Sequence, residues 1–327
     1  MEESGYKIGY LGPRGTFSED ALLYYLDGRE IQTTQYSDND AVLAAFARGD
    51  VSEAIIAFRN TLSGPVFNNL YWLVEHPTVR IKALITLKIR QNLITINGTP
   101  RIKVVFSHSA AFGQCTESLG KLRSTGRLSR NTRLIPVGST ALAVKDLEQL
   151  IVGVKDPDDE AAIKKYYEEC QKEGVTPEKR EPRPLDKRFA AAIASQRAAG
   201  IYEKTVLFPG IQDHENNFTS FWVLADKDES KPTGNDRTVI VFLGVKTFNE
   251  FYSQVVAKLL ECGLEITWTE FKTARKSLHS YYYMVEVAAH RADPRMEEAW
   301  RVINEVNPRI KKRIMGSFPD LGIYESA

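Results

Sequence analysis

Residues 6–26 read YKIGYLGPRGTFSEDALLYYL, a short strand delivered into a helix through a turn that carries glycine and proline. Tyr6 to Leu11 alternates as a buried strand does and stops at Gly12-Pro13. Ser18 stands where a hydroxyl caps a helix, and Ala21, Leu22, Tyr25 and Leu26 fall on one helical face behind it. After a polar turn, Asp40 to Arg48 repeats the helical spacing with Val42, Leu43 and Phe46 on one side. Ala54 to Phe58 then returns as a strand. Strands alternating with helices in this way predict an α/β unit built on a parallel sheet.

The same alternation continues. Asn69 to Val74 reads as a helix and Val79 to Ile94 as one or two strands. Lys103 to Phe106 is a strand that ends in Ser107-His108 and opens a helix from Ala110 to Leu122. Thr132 to Pro136 and Ala190 to Ala194 are strands, with Ser139 capping a helix from Thr140 to Leu147 between them. Residues 156–188 are highly charged and carry four prolines. They read as an insertion, helical from Glu160 to Glu173 and otherwise a solvated loop.

Residues 230–236, SKPTGND, form a small, polar linker. Beyond it come a strand (Thr238 to Gly244), a helix (Asn249 to Cys262) and two strands (Ile266 to Lys272, Ser280 to Val287). A helix (Arg295 to Val306) and a short terminal strand complete a ferredoxin-like β-α-β-β-α-β order. The expected division is a two-lobed α/β domain over 1–229 and a small α+β domain over 237–327.

A chain of 327 residues with 43% hydrophobic and 26% charged side chains has ample apolar surface to fold. A formal net charge of +1 and the lack of a basic stripe argue against a nucleic-acid partner. Cys115, Cys170 and Cys262 are odd in number and far apart, which fits reduced thiols in the cytoplasm. The opening MEESGYKIGYLG has no apolar signal core, and no apolar run approaches the roughly 20 residues that cross a bilayer. The expectation is a cytoplasmic protein with no membrane partner.

Four polar clusters sit at strand ends. Gly12 to Ser18, which includes Thr16, offers donors either to an anion at a helix start or to a simple cap. Ser107-His108 and Ser139-Thr140 repeat that choice at two further strand-to-helix turns. Asn217 to Phe221 puts amide and hydroxyl groups just before an apolar strand. No catalytic triad, metal-ligand spacing or pair of catalytic carboxylates is present, so neither a metal nor a cofactor is expected. Together the clusters suggest a hydroxyl- and amide-lined site for a small anionic substrate.

Taken in order, these blocks resemble the prephenate dehydratase family. GYLGPRGTFSEDA is similar to its GPxGTFSExA block, FRNTLSGPV to PxENSxxGxV, and SHSAAFGQC to SHPxALxQC. GSTALAV resembles STAxAA, FAAAIASQRAA resembles AAIAS, and IQDHENNFTSFWVLA resembles IxDxxxNxTRFxVL. The last part resembles the family's regulatory ACT domain and ends in GSFP.

The resemblance implies a two-lobed catalytic domain like a periplasmic binding protein, followed by the ACT domain, in a homodimer or homotetramer. It implies a carbon–oxygen lyase of aromatic amino acid biosynthesis, which turns prephenate into phenylpyruvate by losing carbon dioxide and hydroxide. Thr219 matches the catalytic threonine and would polarise the leaving hydroxyl. Thr16, Asn60, Thr61, Ser107, His108, Ser139, Thr140, Arg59, Ser220 and Phe221 fall at matching substrate-binding positions.

Two positions depart from the pattern. Arg59 stands where the family has Glu, and Ser220 where it has Arg, a formal shift of about +1. Either Arg59 replaces the missing cation from the opposite side, or it points to solvent. Thr247-Phe248-Asn249-Glu250 also lacks the glycine of the family's effector turn, so Phe248 is expected to fill that pocket. The functions in play are therefore the family reaction, a retuned enzyme of specialised metabolism on a related cyclohexadienyl acid, and a non-catalytic ligand-binding paralogue.

Overall fold

The computed structural model describes residues 5–98, 101–227, 230–273 and 281–325, without the side chains of residues 272 and 273. The first lobe begins with β1 (Lys7–Leu11), α1 (Phe17–Leu26), β2 (Gln32–Tyr36), α2 (Asn39–Arg48) and β3 (Glu53–Asn60). It continues with β4 (Gly64–Pro65), α3 (Phe67–Glu75) and β5 (Arg80–Lys88). The chain then crosses into the second lobe with β6 (Asn92–Thr95), β7 (Ile102–Ser107), α4 (Ser109–Gln114), α5 (Thr116–Ser124) and β8 (Leu128–Pro136).

That lobe is completed by α6 (Thr140–Lys145), α7 (Leu147–Leu150), α8 (Pro157–Glu173), β9 (Ala190–Ala194), α9 (Gln196–Ile201) and β10 (Thr205–Phe208). The chain returns to the first lobe as β11 (Phe218–Ala225). The C-terminal unit holds β12 (Asp236–Leu243), α10 (Phe248–Phe251), α11 (Ala257–Glu261), β13 (Ile266–Thr273), β14 (Tyr281–Val287), α12 (Pro294–Val306) and β15 (Lys311–Glu325).

The second lobe is one sheet in the order β10-β6-β9-β7-β8, with β9, β7 and β8 parallel. The first lobe and the C-terminal unit share a single longer sheet, β13-β14-β12-β15-β5-β11-β3-β1-β2, with β4 paired to β3. Within it β13-β14-β12-β15 is the ferredoxin-like order expected from the sequence. The α/β class and the two lobes also stand as expected.

The joint between the units rests on β15. Its first part runs antiparallel to β12, and its last residues run parallel to β5. The terminal strand was expected to be short, yet it spans 15 residues because it belongs to both halves of the sheet. Gly316 marks the crossing: a Cβ there would lie 2.2 Å from the carbonyl oxygen of Ile81. Only a residue without a side chain lets the two backbones approach so closely.

Aromatic packing fills the same joint. Phe58 of β3 stacks on Trp222 of β11 at 3.8 Å, and Trp268 of β13 meets both rings edge-on at 5.9 and 6.2 Å. One apolar core runs through both units and includes Ile56, Leu73, Val239, Met284 and Phe318.

Three local expectations change. Thr16, not Ser18, caps α1, by accepting from the amide of Glu19 at 3.2 Å. The helix expected from Ala110 to Leu122 breaks at Cys115 into α4 and α5. The polar turn after α1 contains β2, an edge strand of sequence QTTQY with no apolar alternation to reveal it. Ser280, the expected start of β14, lies outside the described residues.

Candidate functional site

Two chain segments connect the lobes, around Ile89–Gln91 and Ile211–Asn217. They hydrogen-bond to each other: the Ile89 amide donates to Asn217 O at 2.7 Å and the Ile211 amide to Gln91 O at 2.7 Å. At this waist, polar side chains from both lobes meet. The Asn60 Nδ2 group donates to Asn217 Oδ1 (2.8 Å), Phe218 O (3.0 Å) and Thr219 Oγ1 (3.0 Å). Asn217 Nδ2 donates onward to Gln114 Oε1 at 3.0 Å, as does Gln91 Nε2. Asn60 Oδ1 in turn accepts from the amides of Leu62 and Ser63 at 2.9 Å each.

The strand ladder dictates this arrangement. Thr219 and Asn60 face each other across the β3–β11 pair. One carboxamide can therefore hold the hydroxyl and the neighbouring turn together. Thr61 completes the turn: its hydroxyl donates to Asn216 O at 2.7 Å and accepts from the Phe218 amide at 2.9 Å. Because Thr219 Oγ1 accepts from Asn60 and makes no other bond among the described residues, its own proton is available to a ligand.

The remaining sequence-derived donors are engaged locally. Thr16 donates to Leu11 O at 2.7 Å, and the Glu19 carboxylate accepts from the Gly15 amide at 2.7 Å. The start of α1 thus already holds an anion of its own, in a reciprocal cap. Ser107 donates to Ile193 O at 2.7 Å, while Ser139 accepts from the Leu142 amide at 3.1 Å. His108 lies exposed at the start of α4, where its Nδ1 accepts from the Ala110 amide. The surrounding protein holds its ring below the ordinary imidazole pKa by desolvation. Thr140 opens α6 beside Ser139, half-buried.

Three expected site residues lie elsewhere. Phe221 is 2% exposed and packs among Ile85, Leu87 and Val223, because strand alternation turns it into the core. Arg59 neither faces the cleft nor points to solvent. Its guanidinium reaches Glu286 of β14 at 3.7 Å and lies over the Phe58 ring at 5.1 Å. The Glu286 carboxyl is fully buried and accepts from Thr267 Oγ1 at 2.7 Å; burial raises its pKa, and Arg59 and that hydrogen bond oppose the rise. Ser220 is buried directly across the ladder from Arg59, its hydroxyl 3.3 Å from that of Thr86. Because Arg59 is matched by Glu286, the cleft does not gain the expected positive charge.

Phe248 likewise does not fill a pocket: it is 59% exposed, with its ring 6.4 Å from that of Phe271. The motif reading placed Asn217 in a candidate cluster but passed over Gln114, the other amide that ties the lobes together. Both lie inside the quoted blocks, but in sequence a buried carboxamide looks like any surface one.

A second inter-lobe contact closes the waist. Ser195 Oγ donates to Gly15 O at 3.0 Å, and a Cβ on Gly15 would lie 2.9 Å from the Ala198 Cα. Arg197 reaches Glu19 at 3.2 Å and Asp20 at 3.4 Å. Burial pushes the Asp20 carboxyl up to about 6, against the pull of Arg197. Among the described residues no cluster of His, Cys, Asp or Glu is arranged to hold a metal, and no helix is long and apolar enough to cross a membrane.

Comparison with known proteins agrees with this architecture. A bifunctional chorismate mutase/prephenate dehydratase of Aquifex aeolicus is 27% identical over 99% of this chain and 76% of its own length. Among solved structures, prephenate dehydratase from Arthrobacter aurescens in complex with L-Phe superposes with a TM-score of 0.72. It is 19% identical and covers 96% of this chain and 90% of its own. A quorum-quenching acylase, GqqA, superposes at 0.70 with 18% identity, covering 96% of this chain and 98% of its own. The family profile for prephenate dehydratase matches residues 8–229, the two lobes whose waist holds Asn60 and Thr219, and the chain belongs to the prephenate dehydratase family.

Proposed function

We propose that the protein is a cytoplasmic lyase that converts prephenate, or a closely related cyclohexadienyl acid, by decarboxylation with loss of the ring hydroxyl. The observation that carries this reading is the Asn60–Thr219 contact, which occupies an acceptor site of the hydroxyl and leaves its proton to point at a leaving group. A threonine hydroxyl is too weak an acid to protonate outright. It acts by strengthening a hydrogen bond as negative charge grows on the departing oxygen. Aromatisation of the ring supplies the driving force.

Thr16, Ser107, Ser139 and Thr140 shape the cleft from both lobes, although their hydroxyls mainly hold helix starts and strand ends. Arg59 and Ser220 are read here as a relocated ion pair. Glu and Arg at these two positions, as the family pattern has them, would face each other across the β3–β11 ladder. In this chain Arg59 takes the basic role, Glu286 of the C-terminal unit takes the acidic one, and Ser220 fills the space left. The exchange keeps the strand pair neutral, so the departures do not by themselves argue for a lost reaction.

The C-terminal unit is read as an ACT-like regulatory domain, and Phe248, Tyr252 and Phe271, exposed near its outer edge, support assembly into a homodimer or homotetramer. Incubation with prephenate, following phenylpyruvate and carbon dioxide together, tests the function. Equal release of both is expected. Carbon dioxide without an aromatic product would move the reading to a retuned enzyme, and neither product would leave a ligand-binding paralogue.

A further inference from the structure

Strand β3 changes step just before the waist. Ala54, Ile56 and Phe58 face the core shared with the C-terminal unit, while Ile55 and Ala57 face the core beneath α1. Strict alternation would put Asn60 on the same side as Phe58, and Arg59 on the other. The β3–β11 register slips instead: Ser220 pairs with Arg59 and Phe221 with Ala57, which leaves Phe58 as an extra residue. This bulge puts Phe58 and Arg59 on the side of the C-terminal unit and passes Asn60 to the opposite one, where Thr219 is its ladder partner. The contact between Asn60 and Thr219 therefore depends on the bulge.

The C-terminal unit grips this bulge at two successive residues. Trp268 meets the Phe58 ring edge-on, and Glu286 reaches the Arg59 guanidinium at 3.7 Å. The ladder neighbours of Glu286 are Val239 and Trp268, which both belong to the apolar joint. Its Oε1 meets Thr267 and Arg59, whereas Oε2 is buried with no hydrogen-bond partner among the described residues. A carboxylate in such surroundings costs free energy that packing does not return. What it does supply is a fixed anchor for the side chain next to Asn60.

We propose that Glu286 is a positioning residue: by holding Arg59 against the joint, it fixes the turn of the bulge that aims the Asn60 carboxamide at Thr219. The proposal rests on the reading that the Asn60–Thr219 contact carries the reaction. With Glu286 made neutral, Arg59 keeps its charge but loses its counter-ion, and its guanidinium swings out to water as a long cationic side chain does. The backbone of the bulge follows, and Asn60 Nδ2 leaves the line to Thr219 Oγ1. Phe58, still stacked on Trp222, keeps the strand pair itself in place.

The test uses the full chain with Glu286→Gln, Arg59→Met and the double variant, each checked for folding by circular dichroism and melting temperature. Isotope-labelled asparagine side-chain amides report on Asn60 directly, its resonance identified by its loss in Asn60→Asp. That resonance should shift in both single variants. With prephenate, each single variant should lose about tenfold or more in kcat at unchanged KM, as a misplaced group does. The double variant should be no slower than the singles, because both substitutions break one contact. Loss of packing alone would lower the melting temperature without this non-additive effect on kcat. If Glu286→Gln does not fold, Arg59→Met carries the same comparison. An unmoved Asn60 amide in the folded variants, an unchanged kcat, or additive losses would each overturn the proposal. If the wild type does not turn over prephenate, the reading of the cleft fails, and the Asn60 amide alone decides whether Glu286 positions it.

Discussion

Asn60 spends its amide protons on Asn217, Phe218 and Thr219, and that distribution is what makes Thr219 a donor and not an acceptor towards a ligand. Thr219→Val keeps the shape and removes the proton. On the proposed function it should lower kcat by about 100-fold or more with little change in melting temperature, as steady-state kinetics and calorimetry would show. Asp20 gives a pH signature. Its folded pKa of about 6 lies above the ordinary 3.8, so the native state favours the protonated form. The stability this contributes is complete below about pH 4 and is lost as pH rises through 6. Asp20→Asn should therefore be more stable than the wild type by about 3 kcal/mol at pH 7.5, and by almost nothing at pH 3.5, in urea titrations. Glu286 follows the same sign. Arg59→Met, which strips the counter-ion from that buried carboxylate, should destabilise the protein more at pH 8 than at pH 4. At this scale the sequence named Thr219 and Asn60 through their blocks. It missed Gln114, whose importance comes from burial at the waist, and it placed Phe221 at the site although alternation along β11 turns that side chain into the core.

Most strands and helices were legible because their apolar faces repeat with the right period. The failures share a cause. β2 lies at a sheet edge and needs no apolar face, while β15 looked short because its second half pairs with a strand more than 200 residues earlier. Periodicity reports only what is local. The crossing of β15 over β5 can be tested directly: Gly316→Ala sets a methyl group into the Ile81 backbone. It should lower the urea midpoint by an amount equivalent to about 1–3 kcal/mol, as overpacking does, and more if β15 detaches.

The two lobes and the C-terminal unit meet through a few specific contacts, and each has its own fragility. Gly15, with φ +85° and its Cα hydrogens against Ala198, sets how closely the lobes approach at the waist. Gly15→Ala should hold them apart, visible as a larger radius of gyration in solution scattering and, on the proposed function, as a rise in KM. The two-lobed layout was legible from the block order. The way the units join was not, because the Phe58–Trp222–Trp268 cluster and the Arg59–Glu286 pair bring together residues remote in sequence.

The double membership of β15 has a thermodynamic consequence. If one strand completes both halves of the shared sheet, neither the C-terminal unit nor the first lobe can melt while the other keeps its native edge. Calorimetry should then record a single cooperative endotherm for these two parts, with the second lobe alone free to melt separately. A molecule bound anywhere within that shared unit should therefore raise the melting temperature of all of it.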